Sequence, residues 1–204
     1  MKRRGAGTLS RADIGTKVLL QAWVQRRRDH GGVLFLDLRD RSGVAQVVAK
    51  PDQSAAALAA LDPVRSEWVV EVEGTVIARD AEAVNPKMAT GEVEVLAERA
   101  VVLSKSDPLP FAVDSRADVA EETRLKYRFL DLRRPELAKN FILRHEITHA
   151  VRGYFHEQGF LDIETPILTK STPEGARDYL VPSRVHRGEF YALPQSPQLF
   201  KQLL

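Results

Sequence analysis

With 204 residues, 44% of them hydrophobic, and 30 Lys and Arg residues against 28 Asp and Glu residues, the chain has the composition of a folded protein rather than a disordered one. No apolar run approaches the roughly 18 residues that a membrane-spanning helix needs, and the absence of cysteine excludes disulfides, thiolate zinc sites and cysteine nucleophiles. We therefore expect a cytoplasmic protein without a membrane partner, in which any nucleic-acid binding depends on where the charges lie, because the net charge is only +2.

The first half of the chain is predicted to form five short strands, because apolar and polar residues alternate between turn residues. The predicted strands lie at 17–24, 33–39, 43–48, 68–77 and 92–103. A run of Ala and Leu at 54–61 predicts one helix between the third and fourth strands. This order is typical of the OB-fold, a small barrel that often binds oligonucleotides, although other five-stranded barrels and sandwiches share the pattern.

A break in this pattern follows the fifth strand. Residues 105–134 combine two prolines with polar, weakly periodic sequence, which predicts a linker or hinge. A helix of about 23 residues is predicted from Pro135, because apolar residues recur at helical spacing until Gly159 can cap its end. Such a long helix implies packing on a larger body.

Two further strands and the start of a helix are predicted near the end of the chain. The strands lie at 160–164 and 190–193, and the helix begins after Pro197. Because two strands do not complete a sheet and no stop signal follows the helix, we expect an incomplete domain here. The predicted organisation is a barrel at 1–104, a linker at 105–134 and an incomplete domain at 135–204.

Phe35 is an aromatic residue on a polar strand face, because alternation places it with Asp37 and Arg39, away from the leucines of the same strand. Three consecutive arginines at 26–28 lie close by in sequence. An exposed ring can stack on an unpaired base, guanidinium groups can bind phosphates, and the Gln46 amide can read a base edge. A solvated charge run and a structural phenylalanine explain the same residues, so binding of single-stranded RNA or DNA and a structural role both stay open.

Two polar residues near the end of the chain share one helix face. Gln198 and Lys201 stand three positions apart, opposite Leu199 and Phe200. An amide and an ammonium group close to a helix N-terminus suit a small carboxylate ligand. The loop at 169–178 is rich in polar residues and by itself indicates only an exposed loop.

Six motifs occur in order along the chain: AWVQRRRD at 22–29, FLDLRDR at 35–41, RLKYRFLDLRR at 124–134, ETPILTK at 164–170, TPEGARD at 172–178 and QSPQLFKQ at 195–202. Together they resemble the bacterial aspartyl-tRNA synthetases, a class II family, over essentially the whole chain. The resemblance implies an α+β multidomain protein with an N-terminal OB-fold anticodon-binding barrel, followed by the start of a class II antiparallel-sheet catalytic domain. It also implies a homodimer through the element from Gly159 to Pro166.

The same resemblance implies roles for individual residues. Contacts with anticodon bases are implied for Arg28, Phe35, Gln46 and Glu94. Binding of L-aspartate is implied for Glu174, Ser196, Gln198 and Lys201. A choice between tRNA(Asp) and tRNA(Asn) is implied for His30 and Glu82. Histidine at position 30, where other members have leucine, implies that both tRNAs are charged.

The implied activity is aspartate–tRNA ligation: ATP and Mg²⁺ activate L-aspartate, which is then transferred to tRNA(Asp) and, by less selective members, to tRNA(Asn). The second and third class II motifs, whose arginines stabilise phosphoryl charge, do not occur in these residues. We therefore expect no catalytic residue, metal or bound cofactor within this chain, and no activity from it alone. Two alternatives stay open: a stand-alone anticodon-binding module, and a related synthetase for asparagine or lysine, whose side chains Lys201 fits less well than a carboxylate.

Overall fold

The computed structural model describes residues 3–114, 118–171 and 177–204. The chain divides into two units, Met1–Pro135 and Glu136–Leu204. Within the described residues, no helix is long and apolar enough to cross a membrane.

The first unit contains a closed five-stranded barrel. Its strands are β1 (Lys17–His30), β2 (Val33–Asp40), β3 (Gly43–Ala49), β4 (Val69–Ala78) and β5 (Val93–Ser104). Helix α1 (Ala55–Leu61) lies between β3 and β4 in the chain and packs against β5. Around the barrel the strand order is β1-β2-β3-β5-β4, and β3 pairs with β5 in parallel while the other pairs are antiparallel. The order and the single helix confirm the predicted OB-fold.

Leucine and valine side chains from all five strands fill the interior of the barrel. Each strand contributes at least one fully buried residue: Leu20, Leu36, Val47, Val72 and Val95 in the order β1 to β5. Fully burying a side chain of this size contributes about 1.5–3 kcal/mol. The packed interior therefore makes the barrel a firm support for the side chains on its outer face.

Strand β1 continues past its predicted end at residue 24 and contains a β-bulge at Gln25. The register of β1 against β2 shifts between Val24 and Arg26. Val24 is fully buried, whereas beyond the shift the exposed Arg28 lies opposite Phe35. Because a bulge inserts one extra residue, even-numbered side chains of β1 face the core before Gln25 and the outer surface after it.

Residues 105–134 lie in the first unit with the barrel. They contain two short helices that were not predicted, α2 (Glu121–Lys126) and α3 (Arg128–Asp131). Phe111, Val113 and Leu130 form a small apolar cluster in this segment.

The carboxylate of Asp131 is fully buried next to that cluster. It accepts hydrogen bonds from Arg124 and Arg128, and it lies 3.7 Å from Arg134. The hydrogen bond from Arg124, followed by the charges of all three guanidinium groups, lowers the pKa of Asp131 although burial opposes this effect. The Asp131 carboxylate thus contacts three arginines of the motif RLKYRFLDLRR at 124–134 and links its two short helices.

The second unit contains helix α4 (Pro135–Glu157), a hairpin of β6 (Tyr179–Pro182) with β7 (Phe190–Leu193), and helix α5 (Gln198–Leu203). The long helix, the strand at 190–193 and the start of the last helix confirm the sequence predictions. Strand β6 was not predicted.

The predicted strand at 160–164 is wrong. These residues have no ladder partner among the described residues, and their side chains are exposed. An extended segment needs a neighbouring strand to satisfy its backbone groups, and none lies beside it here. Most large apolar side chains of α4 are also exposed, including Phe141 at 53% and Ile147 at 56%.

Candidate nucleic-acid interface

A concave pocket of about 330 Å³ lies on the outer face of the barrel, where β1, β2, β3 and the loop after β4 meet. We call it the base pocket. Its lining includes the rings of His30 and Phe35 and the polar side chains of Arg26, Arg28, Asp37, Gln46 and Arg79. Three guanidinium groups against one carboxylate make this lining cationic, which favours an anionic ligand.

A chain of hydrogen bonds fixes the polar side chains of the base pocket. Arg28 Nη2 donates to Asp37 Oδ1 at 2.7 Å and to Gln46 Oε1 at 3.2 Å. Gln46 Nε2 in turn donates to Glu94 Oε2 at 2.6 Å. The Gln46 amide is therefore held with its oxygen toward a cation and its nitrogen toward a carboxylate, so its orientation is set before any ligand arrives.

Three of the four residues predicted to contact anticodon bases belong to this hydrogen-bonded chain, and the fourth, Phe35, lies next to it. Phe35 is half-buried and stands opposite Arg28 in the β1–β2 register. The ring of His30 packs against it at a centroid distance of 6.0 Å and an angle of 65°. This edge contact holds the Phe35 ring in one orientation within the pocket.

Arg79 is a pocket residue that sequence reasoning missed. It is only 8% exposed, its Nε donates to the Val93 carbonyl oxygen at 3.0 Å, and its Nη2 lies 3.4 Å from the Met88 sulfur. Burial lowers the pKa of the Arg79 guanidinium, and the charges of Glu94 and Asp37 oppose that shift. Because an arginine titrates far above neutral pH, the base pocket keeps a fixed positive charge there. Nothing in the sequence distinguishes Arg79 from an ordinary exposed arginine after a strand.

Of the two residues predicted to choose between tRNAs, one lines the base pocket and the other is next to a lining residue in the sequence. His30 lines it directly. Glu82 is exposed in the short 3-10 turn Ala81–Ala83, and its neighbour Ala83 lines the pocket.

The residues predicted to bind L-aspartate belong to the second unit. Glu174 lies outside the described residues. Gln198 is the first residue of α5, Lys201 follows three positions later, and these two side chains and that of Ser196 are exposed. Within the described part of the chain, no hydrogen bond joins these three side chains. The structure thus places Gln198 and Lys201 on one short helix without closing a pocket around them.

Two family models match the chain. Residues 18–103 match the OB-fold nucleic acid binding domain, and residues 120–204 match the tRNA synthetases class II (D, K and N). The first range covers the barrel, and the second runs from α2 to α5.

Curated relatives match the chain along its length. The aspartate–tRNA ligase of Oceanobacillus iheyensis is 58% identical over 100% of this chain and 34% of its own length. The aspartate–tRNA(Asp/Asn) ligase of Desulfatibacillum aliphaticivorans is also 58% identical, again over 100% of this chain and 34% of its own. This chain therefore spans about a third of the length of these relatives.

Among solved structures, the asparaginyl-tRNA synthetase from Pyrococcus horikoshii complexed with asparaginyl-adenylate matches with a TM-score of 0.81 and 23% identity. The match covers 100% of this chain and 45% of that one. At this identity the likeness shows a shared fold.

Proposed function

We propose that this chain, which belongs to the class II tRNA synthetases (D, K and N) and carries an OB-fold nucleic acid binding domain, serves aspartate–tRNA ligation by reading the anticodon of tRNA(Asp). The observation that carries the proposal is the hydrogen-bonded chain of Arg28, Gln46 and Glu94 beside Phe35 in a cationic pocket. The names of the relatives support aspartate as the amino acid, and the side chains of the base pocket support recognition of RNA.

An unpaired base would bind by stacking on Phe35 and by pairing with Gln46. After its bonds to Arg28 and Glu94, the Gln46 amide keeps one N–H donor and one oxygen lone pair for a base edge. A base that presents the wrong groups would leave these buried polar atoms unpaired, which is costly and so gives specificity. The fixed charge of Arg79 would attract the phosphates irrespective of base.

We propose that L-aspartate binds at Glu174, Ser196, Gln198 and Lys201. The positively charged ammonium group of Lys201 would pair with the negatively charged side-chain carboxylate of the substrate. The side chains of asparagine and lysine carry no such negative charge. The spacing of Gln198 and Lys201 on α5 and the names of the curated relatives support this placement.

The complete reaction would use ATP and Mg²⁺ to activate L-aspartate. The described residues contain no group of three or more His, Cys, Asp or Glu side chains that could hold a metal ion.

Three further features belong to the proposal. His30 at the pocket edge and the relatives named for tRNA(Asp/Asn) support recognition of tRNA(Asn) as well as tRNA(Asp). Exposed apolar residues of α4, together with the element from Gly159 to Pro166, support homodimerisation, because a large apolar surface is stabilised when a partner covers it. The cytoplasm, where translation proceeds, is the compartment that this function requires.

Equilibrium binding to labelled anticodon stem–loops tests the proposed function. Fluorescence anisotropy with the 204-residue chain compares the stem–loops of tRNA(Asp) and tRNA(Asn) with one of identical stem and scrambled loop. We expect the first two to bind about tenfold more tightly or better, which is about the 1.4 kcal/mol that one stacked and paired base contributes. Equal affinity for all three RNAs would overturn the proposal.

A further inference from the structure

A second concave surface adjoins the base pocket on the barrel. It is formed by the bulge of β1 and by residues 62–66 after α1, and its volume is about 630 Å³. We call it the bulge pocket. Its charged lining consists of Arg26, Arg27, Asp62 and Arg65. Because Arg26 lines both pockets, the two surfaces are contiguous.

The bulge pocket holds more positive charge than its own carboxylate can neutralise. Arg27 Nη2 pairs with Asp62 Oδ1 at 2.8 Å. The side chains of Arg26 and Arg65 form no hydrogen bond or ion pair with any residue of the described ranges. Two uncompensated guanidinium groups in a concave surface attract an anion, and their planar donors match phosphate oxygens.

The loop that carries Arg65 is anchored to the bulge. Glu67 has a φ of 65°, a left-handed conformation that a residue with a side chain rarely adopts. Its backbone N–H donates to the Val24 carbonyl oxygen at 2.6 Å, and its carboxylate accepts two hydrogen bonds from Arg39 at 3.1 and 2.7 Å. These contacts fix the backbone two residues after Arg65. The backbone of Arg65 is therefore held beside β1, which limits where its guanidinium group can lie.

We infer that the bulge pocket binds a backbone phosphate of the RNA strand whose base occupies the base pocket, with Arg65 and Arg26 as its ligands. The inference rests on the proposed function. Each base of a strand is attached to the backbone, so the strand must pass over the surface next to the base pocket. A phosphate contact there positions the strand and carries no sequence information.

A salt titration of stem–loop binding tests this inference. Arg65→Gln in the 204-residue chain should weaken binding of the tRNA(Asp) stem–loop about tenfold, the effect of losing one charged hydrogen-bonded contact. The affinity for the scrambled loop should fall by the same factor. The slope of log K against log salt should decrease by about 0.7–0.9, because one phosphate is no longer neutralised.

Arg99→Gln is the matched control. Arg99 is an exposed arginine paired with Glu73, which lies opposite Leu19 of β1. Leu19 and Arg26 are seven residues apart on β1, or about 23 Å along the strand, so the Arg99–Glu73 pair lies far from the bulge pocket. The control should keep both the wild-type affinity and the wild-type salt slope.

Asp62→Asn gives an independent measurement if Arg65→Gln does not fold, as judged by circular dichroism. Removing the exposed Asp62 carboxylate frees Arg27, so RNA binding should tighten and the salt slope should steepen. No change in affinity or slope in Arg65→Gln and Asp62→Asn, while the wild-type chain still prefers the tRNA(Asp) loop, would overturn the inference and leave the proposed function standing. A loss confined to the matched loop would also overturn it, because it would indicate a base contact.

Discussion

Gln46 and Glu94 are joined by a 2.6 Å hydrogen bond, although they lie 48 positions apart in the chain. They stand on β3 and β5 directly before the parallel pair Val47 and Val95, which closes the barrel. The base pocket and the closure of the barrel therefore share one set of strands, and the geometry of one fixes that of the other.

Glu94→Gln should reduce discrimination between RNAs without unfolding the barrel. A neutral amide can donate as well as accept, so Gln46 would lose the carboxylate that fixes its orientation. We expect the preference for the tRNA(Asp) stem–loop over the scrambled loop to fall by about 1 kcal/mol, or about fivefold. Glu92→Gln, at an exposed site just before β5, is the control and should keep the full preference. Unchanged discrimination in Glu94→Gln would exclude Gln46 orientation as a source of specificity.

Phe35→Ala should weaken binding of the tRNA(Asp) stem–loop by about 1–3 kcal/mol, the contribution of one stacked base. Phe35 lies on the outer face and is only half-buried, so thermal unfolding should stay close to that of the wild type. Phe129→Ala removes an aromatic ring that is 62% exposed in α3 and serves as the control. If both variants bind equally well, Phe35 does not stack on the RNA.

His30→Leu should shift the choice between stem–loops toward tRNA(Asp). The imidazole can donate or accept a hydrogen bond at the edge of the base pocket, whereas leucine can do neither. We expect the ratio of tRNA(Asn) to tRNA(Asp) affinity to fall by about fivefold, corresponding to one hydrogen bond. His186→Leu, at an exposed position in the second unit, should leave the ratio unchanged. A constant ratio in His30→Leu would remove His30 from tRNA selection.

Asp131→Asn should lower the thermal midpoint of the chain and flatten its acid sensitivity. The pKa of Asp131 is lowered below 3.8 in the folded chain, chiefly by the hydrogen bond from Arg124. Its stabilising contribution is therefore complete above pH 3.8 and is lost as the pH falls through the lower, folded value. Thermal unfolding followed between pH 7 and about pH 2 checks this window. Asp107→Asn, at an exposed site, should unfold like the wild type at every pH.

The barrel could be predicted because its interior imposes a period of two on the sequence. Buried residues at every second position of β2 and β4, most of them leucines and valines, identify these strands from one sequence. The end of β1 escaped prediction because the charged run at 26–30 has no apolar alternation, and its place in the sheet follows from pairing with β2. A single chain also gave no sign that the segment at 160–164 lacks a partner strand.

The candidate site was only partly predictable, because sequence reveals a face of a strand but not the contacts made across the sheet. Phe35 and Asp37 were placed together by alternation, and Gln46 was predicted on the neighbouring strand. The position of Arg79 depends on a loop that folds back over the sheet, and its burial depends on the Val93 carbonyl oxygen and Met88. Such contacts follow from tertiary structure and leave no local pattern.

The bulge at Gln25 decides on which face each arginine of β1 lies. If Gln25 instead took a regular position in the ladder with β2, every following side chain would change face, and Arg26 and Arg28 would turn toward the hydrophobic interior. One irregular backbone position therefore determines which guanidinium groups share a face with Phe35.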